Sequence, residues 1–271
     1  TNDVAFKKVF GDNKKKDILI SFLNSVLEKK DGEKIIDVNI LDPINHPDIP
    51  DAKLSVVDIR CKDQKENNYI IEMQVVGHKD FAIRSQYYAA FSLAKQLYKN
   101  DEYLKLTPVI FIAVVCFEMF KCPNYLSHHY LLNKDTLEHE LTYLEFHFVE
   151  LPKFNKTLNQ SRNHLDKWIF FLKNAGELKD IPKAFEKFKE VKEAMETLQQ
   201  GTWSMKELIA YEKYWDAVRI AQSQIRTAEA KGLKKGIKKG REEGIKKGRD
   251  EGIKKGRDEG IKKGRDEGIK K

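Results

Sequence analysis

Apolar residues recur at helical spacing in two stretches near the start of the chain. Val4, Phe6, Val9 and Phe10 form the first, and Ile18, Leu19, Phe22, Leu23, Val26 and Leu27 the second. Gly11-Asp12-Asn13 interrupts them, so two short helices are expected. After Gly32, residues 34–41 carry Ile35, Ile36, Val38, Ile40 and Leu41 and read as strand-like, and Pro43, Pro47 and Pro50 make the segment to Asp51 an extended loop. Residues 54–60 and 69–76 are rich in β-branched and aromatic side chains and flank the polar stretch 62–68, the pattern of a hairpin. Helical spacing returns over 81–98 in Ile83, Tyr87, Ala90, Phe91, Ala94, Leu97 and Tyr98. Pro108 then introduces the apolar run 109–117, a buried strand; 144–148 reads as one more strand, and 165–172 opens a helical region reaching about residue 230. This order describes an α/β or α+β core with a helical C-terminal region.

From Lys231 the pattern changes to an eight-residue repeat, Gly-Ile-Lys-Lys-Gly-Arg-Asp/Glu-Glu, starting at Gly236, Gly244, Gly252 and Gly260 and truncated after Gly268. On a helix, Ile237, Ile245, Ile253 and Ile261 would drift by about 80° per repeat, which leaves no straight apolar seam for a coiled coil. Glycine at every fourth position costs on the order of 1 kcal/mol each relative to Ala, against ~0.2–0.5 kcal/mol returned by a charge pair, so a frayed, solvated tail is expected. Three parts follow: a core over 1–155, helices over 156–230 and the low-complexity tail over 231–271.

With 271 residues and 41% apolar content, a sizeable core can be buried. The formal net charge is +8, but it is unevenly placed. Residues 231–271 hold 17 Lys/Arg against 8 Asp/Glu, while the preceding 230 residues hold 33 against 34. A nucleic-acid reading drawn from charge alone is therefore a reading of the tail. Three cysteines, Cys61, Cys116 and Cys122, are too sparse for a disulfide scaffold and fit a reducing compartment, the cytoplasm. The N-terminal segment lacks the apolar stretch of an export signal, although Thr1 in place of Met suggests that residues precede it. No membrane span is expected, since the longest apolar run falls far short of the roughly 20 residues a spanning helix needs.

Asp58, Glu72 and Gln74 are polar groups within otherwise apolar strand sequences, Val56-Val57-Asp58-Ile59 and Ile70-Ile71-Glu72-Met73-Gln74-Val75-Val76. A buried carboxylate without a partner is costly, so a compensating charge is required. A hairpin turn centred on Lys65 gives paired positions a constant index sum of 130, which sets Asp58 opposite Glu72 and puts Gln74 on the same face. Two facing carboxylates repel unless a cation sits between them, and Mg²⁺ accepts such oxygen ligands together with water and phosphate.

An Asp near the end of one strand followed by Glu-x-Gln in the next resembles the PD-(D/E)XK nuclease core, where Glu-x-Lys is the usual form. The ordered blocks Asn2-Asp3, Ala5-Phe6-Lys7-Lys8-Val9-Phe10-Gly11, Val57-Asp58-Ile59, Ile71-Glu72-Met73-Gln74 and Arg84 with Tyr87-Tyr88 further resemble the Rpn family of recombination-promoting nucleases and transposase-like proteins, over about residues 1–230. The resemblance implies a restriction-endonuclease-like mixed sheet flanked by helices. It also implies Mg²⁺- or Mn²⁺-dependent hydrolysis of DNA phosphodiesters. Asp58, Glu72 and the Met73 carbonyl are the implied metal ligands, and Gln74 completes the catalytic set. Because Gln74 stands where many relatives carry Lys, the resemblance implies either weaker transition-state stabilisation or a positive charge supplied by Lys7 or Arg84, and Asp3 matches the family's leading acidic position.

Other arrangements carry less. Cys116, Cys122, His128 and His129 have no usual zinc spacing. Trp168, Trp203 and Trp215 lie in helical stretches, where core packing is the ordinary role of such rings. Two further readings remain open: a non-catalytic nucleic-acid-binding or interaction module that retains the nuclease fold, and a tail-mediated homo-oligomer.

Overall fold

Six of the seven residues in 68–74 and all seven in 109–115 are buried, which explains why neither segment alternates polar with apolar positions: both strands are covered on both faces. The computed structural model describes residues 3–45, 55–176, 178, 180–199 and 203–268. In chain order the elements are α1 (Asp3–Phe10), α2 (Lys16–Val26), β1 (Val38–Leu41), β2 (Ile44–Asn45), β3 (Ser55–Val56), β4 (Ile59–Asp63), β5 (Asn68–Gln74), α3 (Phe81–Ala94), β6 (Val109–Val115), β7 (Leu126–Leu131), β8 (Leu141–Glu150), α4 (His164–Asn174), α5 (Lys189–Leu198) and α6 (Met205–Gly268). A mixed six-stranded sheet runs β1-β4-β5-β6-β8-β7, and β2 and β3 form a separate two-stranded ribbon. The β5–β6 and β6–β8 pairs are parallel and the others antiparallel.

Strand alternation sorts the core into two layers. Ile59, Cys61, Ile71, Met73, Ile112 and Val114 face one cluster, completed by α1, α2, α4 and α5. Ile70, Phe111, Ala113 and Phe148 face the other, closed by Phe81, Tyr88 and Ala89 of α3. The architecture is thus α+β, a mixed sheet between helical layers. The rings of Phe6, Phe10, Phe22 and Trp168 interlock at centroid distances from 4.7 to 6.5 Å and fix α1 to α2 and α4. Trp168 is fully buried, as its helical context implied, whereas Trp203 and Trp215 are only half-buried. At the end of α1, the Gly11 N–H donates to the Lys7 carbonyl at 2.8 Å, and a Cβ at Gly11 would stand 2.6 Å from that oxygen. Only glycine closes this helix without a clash.

The register expected for the hairpin is the one formed: Ile59 pairs with Ile71, Arg60 with Ile70 and Cys61 with Tyr69. Asp63 pins it, accepting hydrogen bonds from the N–H groups of Lys65 and Asn67 and from the side chains of Asn67 and Tyr69. Burial and the Asp63 charge push the Tyr69 phenol well above its ordinary pKa. Three expectations differ from the structure. The first hairpin strand breaks at 57–58, because the Val57 N–H bonds the Pro43 carbonyl at 3.1 Å beside the ribbon instead of continuing along β5. Strand β7 was not foreseen; it carries polar Ser127, His128 and His129 at the sheet edge. The proline-rich loop lies largely outside the described residues.

The tail is the third difference, because α6 continues through the repeat to Gly268. A helix already nucleated upstream extends at the lower cost of propagation, and Lys238–Glu242 and Lys239–Glu243 stand 3.9 and 3.7 Å apart one turn on. Two compact units divide the chain, Thr1–Val218 and Arg219–Lys271, and α4 and α5 share the core of the first. Among the described residues no helix is long and apolar enough to cross a membrane.

Candidate active site

The break between β3 and β4 creates the site. Continued by one step, the hairpin ladder would aim the Met73 N–H at the Val57 carbonyl, since the Asp63 N–H bonds the Asn67 carbonyl and hydrogen-bonded pairs recur at every second register position, 61 with 69 and 59 with 71. The chain turns away at Asp58, and the Asp58 side chain takes over as acceptor, its Oδ2 lying 2.7 Å from the Met73 nitrogen. The same turn diverts the Val57 N–H, the ladder donor that the Met73 carbonyl would otherwise have received. Asp58 therefore stands one residue outside β4, at the end of the register that sets it across from Glu72, with its carboxylate against the backbone of β5.

The other Asp58 oxygen is 3.0 Å from the Lys7 ammonium, with the aspartate side chain 9% exposed and the lysine 41% exposed. Phe6, Val9 and Phe10 bury one side of α1, and Lys7 leaves the helix beside them toward the sheet end. Asp3 begins the same helix, and its side chain lies outside the described residues.

Glu72 is 3% exposed and shares its face of β5 with Gln74, as strand alternation requires. The Gln74 amide donates to Glu72 Oε2 at 3.0 Å, and its carbonyl accepts from Arg84 Nη2 at 2.9 Å. Arg84 projects from the first turns of α3, its guanidinium 5.0 Å from the Phe81 ring centre and 6.0 Å from that of Tyr88. Burial pushes the Tyr88 phenol up and the neighbouring Arg84 charge opposes this, while Glu72 pushes it further up, which places the three groups in one electrostatic neighbourhood. The amide thus links a buried carboxylate to a cation held between two rings.

A family model for the PD-(D/E)XK nuclease family transposases matches residues 1–228. The chain belongs to that family. No curated protein and no solved structure matches it. The mixed sheet with flanking helices is the fold expected of a PD-(D/E)XK protein, and membership supports a nuclease or transposase-like function acting on DNA. In this family member, Asp58, Glu72 and the Met73 carbonyl would present oxygen atoms alone, which suits a hard divalent cation. Among the described residues no group of three or more His, Cys, Asp and Glu side chains is placed to hold a metal ion.

Lys7 stands 3.0 Å from Asp58, whereas Arg84 is joined to Glu72 through the Gln74 amide. The aromatic seat of Arg84 was missed; Phe81 three residues before it and Tyr88 four after it were the available signal. Cys116, Cys122, His128 and His129 have no partner in common: the two cysteines are free thiols, His128 bonds His147 and His129 bonds Ser127.

Proposed function

We propose that the chain is a divalent-metal-dependent DNA endonuclease that hydrolyses phosphodiester bonds, with Mg²⁺ or Mn²⁺ as its ion. The observation that carries this reading is the pair of buried carboxylates at the end of β5, each held in place: Asp58 by the Met73 N–H and Lys7, and Glu72 by Gln74. In this reading Asp58, Glu72 and the Met73 carbonyl hold the ion. When bound, it supplies Lewis-acid polarisation of a phosphoryl oxygen and activation of water. Gln74 orients Glu72 and contributes no charge of its own. Lys7 and Arg84 provide the positive potential that a lysine at position 74 gives other members, and Asp3 is a further acidic candidate at the start of α1. Residues 1–155 carry the chemistry, 156–230 support it, and 231–271 attract DNA. Recombination-linked cleavage in the cytoplasm, where free thiols persist, is the biological setting proposed.

The test compares plasmid cleavage in Mg²⁺ and in Mn²⁺ by wild type, Asp58→Ala and Glu72→Ala. Each substitution is expected to lower the rate by at least about a hundredfold, the scale on which loss of one charge-stabilising group acts. Equal cleavage by all three proteins would end the assignment.

A second reading, a non-catalytic DNA-binding module, is favoured by one feature, the Lys7–Asp58 ion pair, which gives that carboxylate a counter-ion from within the chain. Lys7→Ala separates the two. Cleavage that falls while folding is kept supports the enzyme, whereas DNA binding that falls with no cleavage in any variant supports the module.

A further inference from the structure

The apolar spacing that marks 81–98 as helical does not face the sheet. Helix α3 buries Phe81, Ser85, Tyr88, Ala89 and Ser92, two of them hydroxyl residues. Its other side carries Ile83, Tyr87, Ala90 and Ala94, with Ile83 70% exposed, Tyr87 41% exposed and both alanines exposed. An ordinary surface helix turns a polar side to water, whereas this stripe holds no charged residue. The four positions are spaced 4, 3 and 4 residues apart, the a/d alternation of a narrow seam that meets another helix. Ser85, Tyr88, Ala89 and Ser92 are the positions that such a repeat turns away from its seam, and they are the ones packed on the sheet. Phe91 flanks the seam, its ring stacked on Tyr87 at 5.9 Å with an interplanar angle of 12°, which holds the Tyr87 ring in place.

We propose that this face of α3 pairs with the same face of a second copy of the chain, the two helices running antiparallel about a two-fold axis between residues 88 and 89. In that register Ile83 of one copy lies over Ala94 of the other, and Tyr87 lies over Ala90. Each layer sets a large side chain against a small one, and the two-fold axis repeats both layers on its other side. A parallel pairing would instead set large on large at one end and small on small at the other. Antiparallel helices also oppose their dipoles favourably. The start of one helix then meets the end of the other, where exposed charges of opposite sign are available: Lys79 and Asp80 before α3, and Lys99 and Glu102 beyond it. Tyr98, 77% exposed just past the helix, extends the apolar surface. The exposed parts of these side chains come to on the order of a few hundred Å² per copy, below the roughly 800 Å² per partner of a standard stable interface, so the dimer forms reversibly. Ile83, Tyr87, Ala90 and Ala94 lie outside the candidate active site, and the pairing does not depend on the nuclease reading.

The experiment measures the sedimentation mass of the full chain across the micromolar range in wild type, Tyr87→Glu, Ala90→Lys, an equimolar mixture of those two variants, and Ile36→Glu. Wild type is expected to pass from one chain to two as concentration rises. Tyr87→Glu and Ala90→Lys should each weaken self-association by at least about tenfold, since each puts a charge into a closed apolar layer. The mixture should recover the two-chain species, because position 87 of one variant lies across from position 90 of the other and the introduced charges are opposite. Ile36→Glu changes a side chain that is 75% exposed outside the seam and should behave as wild type. Circular dichroism checks that the variants keep their helices, and Ala90→Lys, at an exposed position, keeps the test valid even if Tyr87→Glu loses structure. The proposal is overturned if wild type sediments as one chain at every concentration, which leaves the face to some other partner. It is equally overturned if Tyr87→Glu and Ala90→Lys associate as wild type does, which puts the contact elsewhere, and a mixture of folded variants that stays single-chain overturns the antiparallel register.

Discussion

At position 74 the amide serves two partners of opposite sign, offering N–H to Glu72 and C=O to Arg84. No ammonium can do both. In Gln74→Lys the new cation would keep an attraction to Glu72 but would confront Arg84 and leave it without its acceptor, so loss of a hydrogen bond to a charged group is compounded by like-charge repulsion. The variant is expected to lose about 1–3 kcal/mol of stability in urea denaturation, although it restores the family's more common motif. Stability equal to wild type would show that Arg84 is not held by Gln74. The contact between residues 72 and 74 was legible in the sequence, because strand alternation puts them on one face whatever the rest of the fold does. The link from Lys7 to Asp58 was legible only as a shortage of positive charge, since joining residues so far apart depends on how α1 packs against the sheet.

Elements were readable where local chemistry fixes them and unreadable where a distant partner does. The β4–β5 register follows from the turn that Asp63 organises within a few residues. The break at Asp58 depends on the Pro43 carbonyl, and β7 depends on pairing with β8, so neither leaves a mark in its own segment. The start of α6 shows a local signal reinforced from afar. Ser204 and Glu207 form a capping box, with Glu207 Oε2 accepting from the Ser204 N–H at 2.7 Å and Ser204 Oγ accepting from the Glu207 N–H at 3.3 Å. Lys8 of α1 adds an ion pair to Glu207 at 2.6 Å. Lys8 first, then the Ser204 hydrogen bonds, hold the Glu207 carboxyl down at about 2, against an ordinary 4.5. A carboxyl depressed on folding stabilises the native state above its unfolded pKa, and that contribution disappears as pH falls toward the folded value. Glu207→Gln keeps the cap geometry and removes the charge. It should therefore cost a few tenths to about 1 kcal/mol at neutral pH, the pair being partly exposed and screened. The gap from wild type should close as pH falls from 4.5 to about 2. Urea midpoints at pH 7, 4 and 2 measure this, and a gap independent of pH would show that the ion pair contributes nothing.

On the scale of the whole chain, charge and family membership part company. The family match ends at residue 228, and the excess of basic over acidic residues lies in 231–271, since the residues before it carry 33 basic against 34 acidic groups. Every side chain described in 231–265 is exposed, and the isoleucines of the repeat drift around the helix, so this segment offers charge and no continuous apolar seam. Counter-ion release then predicts where salt sensitivity resides: each duplex phosphate neutralised contributes about −0.9 to the slope of log affinity against log salt. A chain ending at residue 230 should bind duplex DNA with a markedly shallower slope than the full chain while retaining metal-dependent cleavage, because Asp58, Glu72, Lys7 and Arg84 all belong to the first compact unit. Its sedimentation mass should correspond to the same number of chains as before, as the drifting isoleucines require. If the truncated chain keeps the full salt slope, the phosphate contacts belong to the folded body, and Lys7, Lys8 and Lys15, which line a groove of about 480 Å³ with Gly11, become the residues to substitute next.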